Sequence, residues 1–236
     1  MNPYTGKLIF VQIASYRDPE LKKTLKDMLE KADEPDNLRV CVAWQHAKED
    51  KWDKLTSFKN HKHINIIDIN YKEAKGVCWA RNLIQQHYND EDFTLQLDSH
   101  HRFTEGWDTT LKNMIYMLQL QGHKKPLLTG YVPSYDTLTG KTENDPWQLV
   151  FDRFAPEGPL HTKPETIPNW VDYNAPIAAR FFSAHFCFTL GIFSREVQHD
   201  PEIYFHGEEI SLAVRAYTHG YDLFHPHRVV IWHYYT

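Results

Sequence analysis

Residues 93–103 read FTLQLDSHHRF. Phe93, Leu95 and Leu97 alternate with Thr94, Gln96 and Asp98, the two-residue period of a strand with one apolar face. The strand ends on Asp98, and His100, His101 and Arg102 follow where the chain should turn into solvent. On extended backbone, positions two apart project to one side, so Asp98 and His100 face the same way. A carboxylate and a neutral imidazole combine hard and borderline donors, which suits manganese better than calcium. Two such ligands leave coordination positions that a diphosphate would fill, because a metal offsets charge building on a leaving phosphate. A polar turn carrying an exposed histidine pair has the same spacing.

The flanking segments predict what holds that strand. KLIFVQIAS (7–15) is a nearly continuous apolar run, as in a strand buried on both faces. Asp18 and Pro19 then suit the N-cap and first position of a helix that puts Leu21, Leu25, Met28, Leu29 and Ala32 on one face. NLRVCVAWQ (37–45) and HINIIDIN (63–70) predict two more strands, joined by a polar connection over 46–61 with room for a helical turn. GVCWARNLIQQHY (76–88) has a stripe of Ala80, Leu83, Ile84, His87 and Tyr88, and 107–122 has one of Trp107, Leu111, Met114, Ile115 and Leu118. This order predicts an α/β fold with a mostly parallel central sheet flanked by helices, Rossmann-like in outline. In such sheets ligands bind beyond the carboxyl ends of the strands, where residue 98 lies.

Residues 151–176 carry Pro156, Pro159, Pro164, Pro168 and Pro176 and little periodicity, which predicts a long irregular segment, either a functional loop or a disordered one. RFFSAHFCFTLGIF (180–193) is strand-like, a helix is expected from about Glu208 to His219 with Gly220 as its stop, and RVVIWHYYT (228–236) is a closing strand. No internal repeat or linker divides the 236 residues, so one domain is expected over 1–236.

A net charge of −5 with no basic stripe argues against a nucleic-acid surface. The N-terminus has no signal-peptide core with a small-residue cleavage site, and no run is apolar for the roughly 18 residues of a membrane span. Cys41, Cys78 and Cys187 lie far apart in apolar surroundings, as free buried thiols suited to a reducing cytoplasm. A closed zinc site is not expected, since HExxH and CxxC pairs are missing, and neither a P-loop nor a GxGxxG follows a strand.

Arg81 sits in the first turn of its helix behind Gly76, a position that favours an anion. It lies off the stripe of Ala80, Leu83 and Ile84, so anion binding is expected rather than packing; a surface arginine at a helix start fits as well. In FHGEEIS, Glu208 and Glu209 open the late helix. Favourable interaction with the helix dipole explains one of them, and the second makes a catalytic carboxylate reasonable.

GVCWAR followed by LDSH resembles the G-x-x-x-A-R and D-x-H motifs of nucleotide-sugar glycosyltransferases with the GT-A fold, and the D-S-H form is similar to that of polypeptide GalNAc transferases. The ordered set IFVQIASYRDPEL, GVCWARN, LQLDSHHRF, GWD, FHGEEISLAVRAYTHGYDLFHPH and IWHYY is similar to cytosolic GlcNAc transferases that modify hydroxyproline on an F-box adaptor protein. The resemblance implies a UDP-sugar donor, Mn2+ (or Mg2+), a protein or glycan acceptor and retention of anomeric configuration. It implies that Asp98, His100 and His233 hold the metal, and that Ser15, Arg17, Gln45, Gly76, Arg81 and Asp98 hold the nucleotide-sugar. Glu209, with Glu208 beside it, falls at the acceptor or reacting centre. The nucleotide-binding part would span about 1–105 and the acceptor part about 106–236. A binding protein that lost turnover and a metal-dependent phosphate-ester hydrolase are the alternatives, although a hydrolase would want more carboxylates near Asp98.

Overall fold

The computed structural model describes residues 3–52, 54–156 and 158–235. Strands β1 (Ile9–Tyr16), β2 (Leu38–His46), β3 (Ile64–Asn70) and β4 (Phe93–Asp98) precede β5 (His101–Phe103) and β6 (Pro126–Thr129). Strands β7 (Trp147–Phe154), β8 (Leu160–Thr166), β9 (Ile177–Ala178), β10 (Phe186–Leu190), β11 (Asp222–His225) and β12 (Ile231–His233) follow. The helices are α1 (Leu21–Lys31), α2 (Val77–Gln85), α3 (Trp107–Leu120), a short α4 (Phe193–Glu196) and α5 (Glu208–Thr218).

The main sheet runs β3-β2-β1-β4-β10-β6-β11-β9. Its first four strands are parallel, and β10 is inserted antiparallel between β4 and β6. From β1 the chain goes to β2 on one side, while β4 pairs on the other, which makes the carboxyl ends of β1 and β4 a topological switch point. The alternation of β1 explains its coverage on both faces. Ile9, Val11 and Ile13 pack with Leu21, Leu25 and Met28 of α1 and Trp107, Leu111 and Ile115 of α3. Phe10 faces the other way, against Ala80 and Ile84 of α2.

Two small sheets complete the fold. In one, β12 pairs antiparallel with β5, setting His233 opposite His101 and bringing the C-terminal strand beside the 98–100 turn. In the other, β7 and β8 form an antiparallel ribbon with an irregularity between Phe151 and Arg153. That ribbon corrects the expectation of an irregular loop over 151–176. Pro164 is tolerated because a two-stranded ribbon has an outer edge where no amide donor is required.

Other boundaries move as well. Helix α1 starts at Leu21, with Glu20 at its cap and no side-chain cap bond, so Asp18 and Pro19 precede the helix instead of opening it. The strand expected over 180–193 shortens to Phe186–Leu190, and the closing strand to Ile231–His233. The 46–61 connection holds turns and no helix among its described residues; Asp53 lies outside them. Helix α5 runs as the sequence indicates, and Gly220 follows it at φ +82°. The described residues contain no helix long and apolar enough to cross a membrane. All three cysteines are free and buried, in line with the sequence expectation.

Candidate active site

Asp98 ends β4, His100 stands in the turn after it, and His233 arrives on β12. One ligand atom from each lies within 4.8 Å of the other two. His233 Nε2 is 3.5 Å from Asp98 Oδ2. His233 is 7% exposed, and neither of its ring nitrogens has a hydrogen-bond partner. Leaving buried polar atoms unpaired is costly, and a cation between these side chains would satisfy one of them. The donor set of one carboxylate and two imidazoles therefore fits a divalent ion. Burial disfavours the charged Asp98 carboxylate, but His233 and the Arg81 guanidinium outweigh it and hold that carboxyl well below the usual range.

Asp18, which precedes α1 instead of capping it, ties the turn before the helix to Ser99 and His100. One oxygen accepts from the Glu20 amide at 2.8 Å. The other lies 2.6 Å from His100 Nδ1 and accepts from the Ser99 hydroxyl at 2.5 Å. Burial lowers the affinity of His100 for a second proton, but the contact with Asp18 more than offsets this and raises its pKa. With Nδ1–H directed at Asp18, the Nε2 lone pair is the one free to ligate, as in carboxylate–histidine–metal arrangements. Asp18→Asn is therefore expected to weaken manganese binding about tenfold, read by titrating the metal into the variant. An unchanged affinity would reduce Asp18 to a turn former.

Arg81 is 3% exposed, which corrects the expectation of a side chain with no packing role. It forks between two carboxylates: Nη2 is 2.6 Å from Asp98 Oδ1 and Nη1 is 2.9 Å from Glu208 Oε1. The other oxygen of Glu208 accepts from the Cys78 thiol at 2.7 Å. Burial alone would raise Glu208, but Arg81 prevails and holds it down to about 2. Both Glu208 oxygens are thus engaged, and the group is a poor proton acceptor. Glu209 is half-buried, and its Oε1 accepts from the Ala184 amide at 2.9 Å. Burial raises its pKa. The next residue, His185, stacks on His233 with ring centroids 4.4 Å apart, so Glu209 is anchored to the residue before one that packs on the Asp98–His100–His233 group. Sequence reasoning missed His185. Its Nδ1 lies 3.0 Å from the Ser183 hydroxyl and its Nε2 accepts from the Val132 amide at 3.3 Å, so it supports His233 instead of ligating.

A cleft of about 280 Å³ has Ala14, Tyr16, Gln45, Tyr71, Gly76 and Tyr204 among its walls, and it reaches the Asp98 group through Ala14, the β1 residue paired with Asp98 of β4. Gly76 has φ +108°, and a Cβ there would lie 2.7 Å from the Tyr204 carbonyl oxygen, so the segment before α5 can close over α2 only on glycine. Arg17 stands at the rim, paired with Asp50 at 2.7 Å and lying 4.7 Å from the Tyr71 ring centre. Ser15 does not line the cleft. Strand alternation sends it to the opposite face, where it is 1% exposed, while Ala14 and Tyr16 point into the cleft.

The chain is similar in fold to GalNAc-T7 solved with UDP, GalNAc and Mn2+, with a TM-score of 0.72 and 13% identity over 97% of this chain and 43% of that one. It is also similar to S. aureus TarS 1–349 in complex with UDP-GlcNAc, with a TM-score of 0.56 and 14% identity over 97% of this chain and 59% of that one. The chain thus spans about half the length of these proteins, and at such identities the likeness is one of fold: the GT-A arrangement. No curated protein sequence matches the chain. The family model described as Glycosyltransferase (GlcNAc) matches residues 8–59 and 51–236, almost the whole sequence. With its D-x-H turn at the carboxyl end of the sheet, the chain belongs to the glycosyltransferase (GlcNAc) family.

Proposed function

We propose that the chain is a metal-dependent, retaining transferase that moves GlcNAc, or a near relative, from UDP to a hydroxyl of a protein or glycan. The observation that carries this reading is the Asp98–His100–His233 group, with its unpartnered buried imidazole, at the sheet end beside the cleft. The UDP, GalNAc and Mn2+ of the GalNAc-T7 structure and the UDP-GlcNAc of the TarS structure support the choice of donor and metal. Mn2+ or Mg2+ at the three side chains would offset the charge on the leaving diphosphate.

On this reading the chain divides its work by halves, about 1–105 for the nucleotide and about 106–236 for the acceptor. Tyr16, Gln45, Tyr71 and Gly76 wall the nucleotide cleft, and Arg17 steadies its rim. Arg81 fixes the Asp98 carboxylate toward the metal. Glu208, committed to Arg81 and Cys78, is not the base that an inverting mechanism needs. Glu209, held by the Ala184 amide, orients the acceptor or steadies positive charge at the sugar carbon, and the leaving phosphate takes the acceptor proton on the same face. Three buried free thiols suit a reducing compartment, which supports a cytoplasmic setting.

The test is a panel of UDP-sugars with and without manganese, reading UDP release. UDP-GlcNAc should be consumed fastest, and chelation should stop it. Once an acceptor is found, the anomeric proton signal of the first product should be α. A β-linked first product would overturn retention, and release that ignores chelation would overturn metal dependence.

A further inference from the structure

A second group of ligating side chains lies on the far side of Arg81 from Asp98. Cys78 comes from the first turn of α2, His199 from the segment between α4 and α5, and Glu208 is the first residue of α5. They are 1%, 2% and 6% exposed. One ligand atom from each lies within 4.8 Å of the other two, with His199 Nδ1 3.5 Å from Glu208 Oε2.

The protonation of His199 follows from its neighbours. Gln96 donates from Nε2 to the Ala184 carbonyl oxygen at 2.7 Å, which fixes its amide and turns Oε1 toward His199 Nε2, also at 2.7 Å. His199 Nε2 must therefore carry the proton. In the neutral ring, Nδ1 is then a bare lone pair, buried, without a hydrogen-bond partner, and aimed at a carboxylate. Two acceptors pointed at each other repel, and a cation between them turns that repulsion into ligation. The Gln96 contact is the kind of outer partner that fixes a ligating histidine. The Arg81 guanidinium does not cancel such a site, because it is shared with Asp98 and takes only Oε1 of Glu208, leaving Oε2 for the ion.

We propose that Cys78, His199 and Glu208 bind one borderline-soft divalent ion of the zinc class, separate from the Asp98–His100–His233 group. Sulfur, imidazole and carboxylate together select zinc over manganese and magnesium, which prefer oxygen-rich sets. On binding, the Cys78 S–H bond breaks, its proton goes to solvent and a sulfur–metal bond forms. The sulfur–oxygen separation then opens from 2.7 Å to roughly 3.5 Å, the edge of a tetrahedron with zinc-like bond lengths. Such an ion would join the start of α2 to the start of α5 and brace Arg81 from behind. The expectation of no closed zinc site rested on local spacings, whereas this set comes from three distant positions. The inference does not depend on glycosyl transfer.

Cobalt(II) is the probe, added to protein freed of metal by chelation and dialysis. The wild type should show a near-ultraviolet sulfur-to-cobalt charge-transfer band. That band should vanish in Cys78→Ser, which preserves size and a donor to Glu208, and persist in His233→Ala. His199→Gln should weaken binding at the band-bearing site by about tenfold or more. Absence of the band in wild type, or its survival in Cys78→Ser, overturns the proposal and leaves a polar network without metal.

Discussion

His233→Ala should lose manganese-dependent UDP release by more than about 100-fold while remaining folded. Replacing even an outer partner of a metal ligand costs roughly 10–100-fold, and here a ligand itself is removed. His233 is a usable position for this test because its ring nitrogens have no hydrogen-bond partner, and its loss takes from the fold only the 3.5 Å ion-pair contact with Asp98 Oδ2, whose other oxygen stays on Arg81. What goes is ring packing against His185, His100 and Tyr235, at centroid distances of 4.4, 4.6 and 4.4 Å. That packing should be worth about 1–2 kcal/mol, a fall in melting temperature of roughly 5 °C for a chain of this size. Turnover close to wild type in a folded variant would remove His233 from the proposed ligand set.

Arg81→Ala should act in the opposite way, through stability first. The guanidinium, 3% exposed, neutralises Asp98 and Glu208, whose side chains are 28% and 7% exposed. Removing one partner of such a buried cluster costs about 3–5 kcal/mol, because the remaining charges are left uncompensated. In a chain of this length that is a drop of roughly 6–20 °C in melting temperature. Arg81→Lys should recover only part of the loss, since an ammonium cannot fork between two carboxylates. The pH dependence has a definite sign. Glu208 is lowered from 4.5 to about 2 in the fold, so its contribution is fully present above 4.5 and is lost as pH falls through about 2. The gap between wild type and Arg81→Ala should therefore narrow over that window. A melting temperature unchanged at neutral pH would show that Arg81 serves the donor alone.

The first half of the fold was legible because its strands carry their own signals. The apolar run of β1 and the alternation of β4 each report burial locally, and their helices have clear stripes. The second half was not, because its pairings are long-range: β10 enters between β4 and β6 against the parallel trend, and prolines hide the β7–β8 ribbon. The site divides in the same manner. Asp98 and His100 show themselves by spacing on one strand end. His233 entered only through resemblance, since nothing local announces that β12 will pair with β5. Arg81 was misjudged because a stripe of apolar residues does not register a charge buried by other charges. Asp18 was hidden because Asp-Pro is also an ordinary prelude to a helix. Ser15 lies on the face of β1 opposite to Ala14 and Tyr16, which line the cleft.

The measurement that bears most directly on the central claim is calorimetric titration of UDP into the wild-type chain, once with manganese and once with a chelator. If Asp98, His100 and His233 hold the ion that receives the diphosphate, UDP should bind one per chain with manganese and at least about tenfold more weakly without it, the loss of a charge-assisted contact worth about 1.5–3 kcal/mol. Equal affinity in the two titrations would contradict the metal-dependent account.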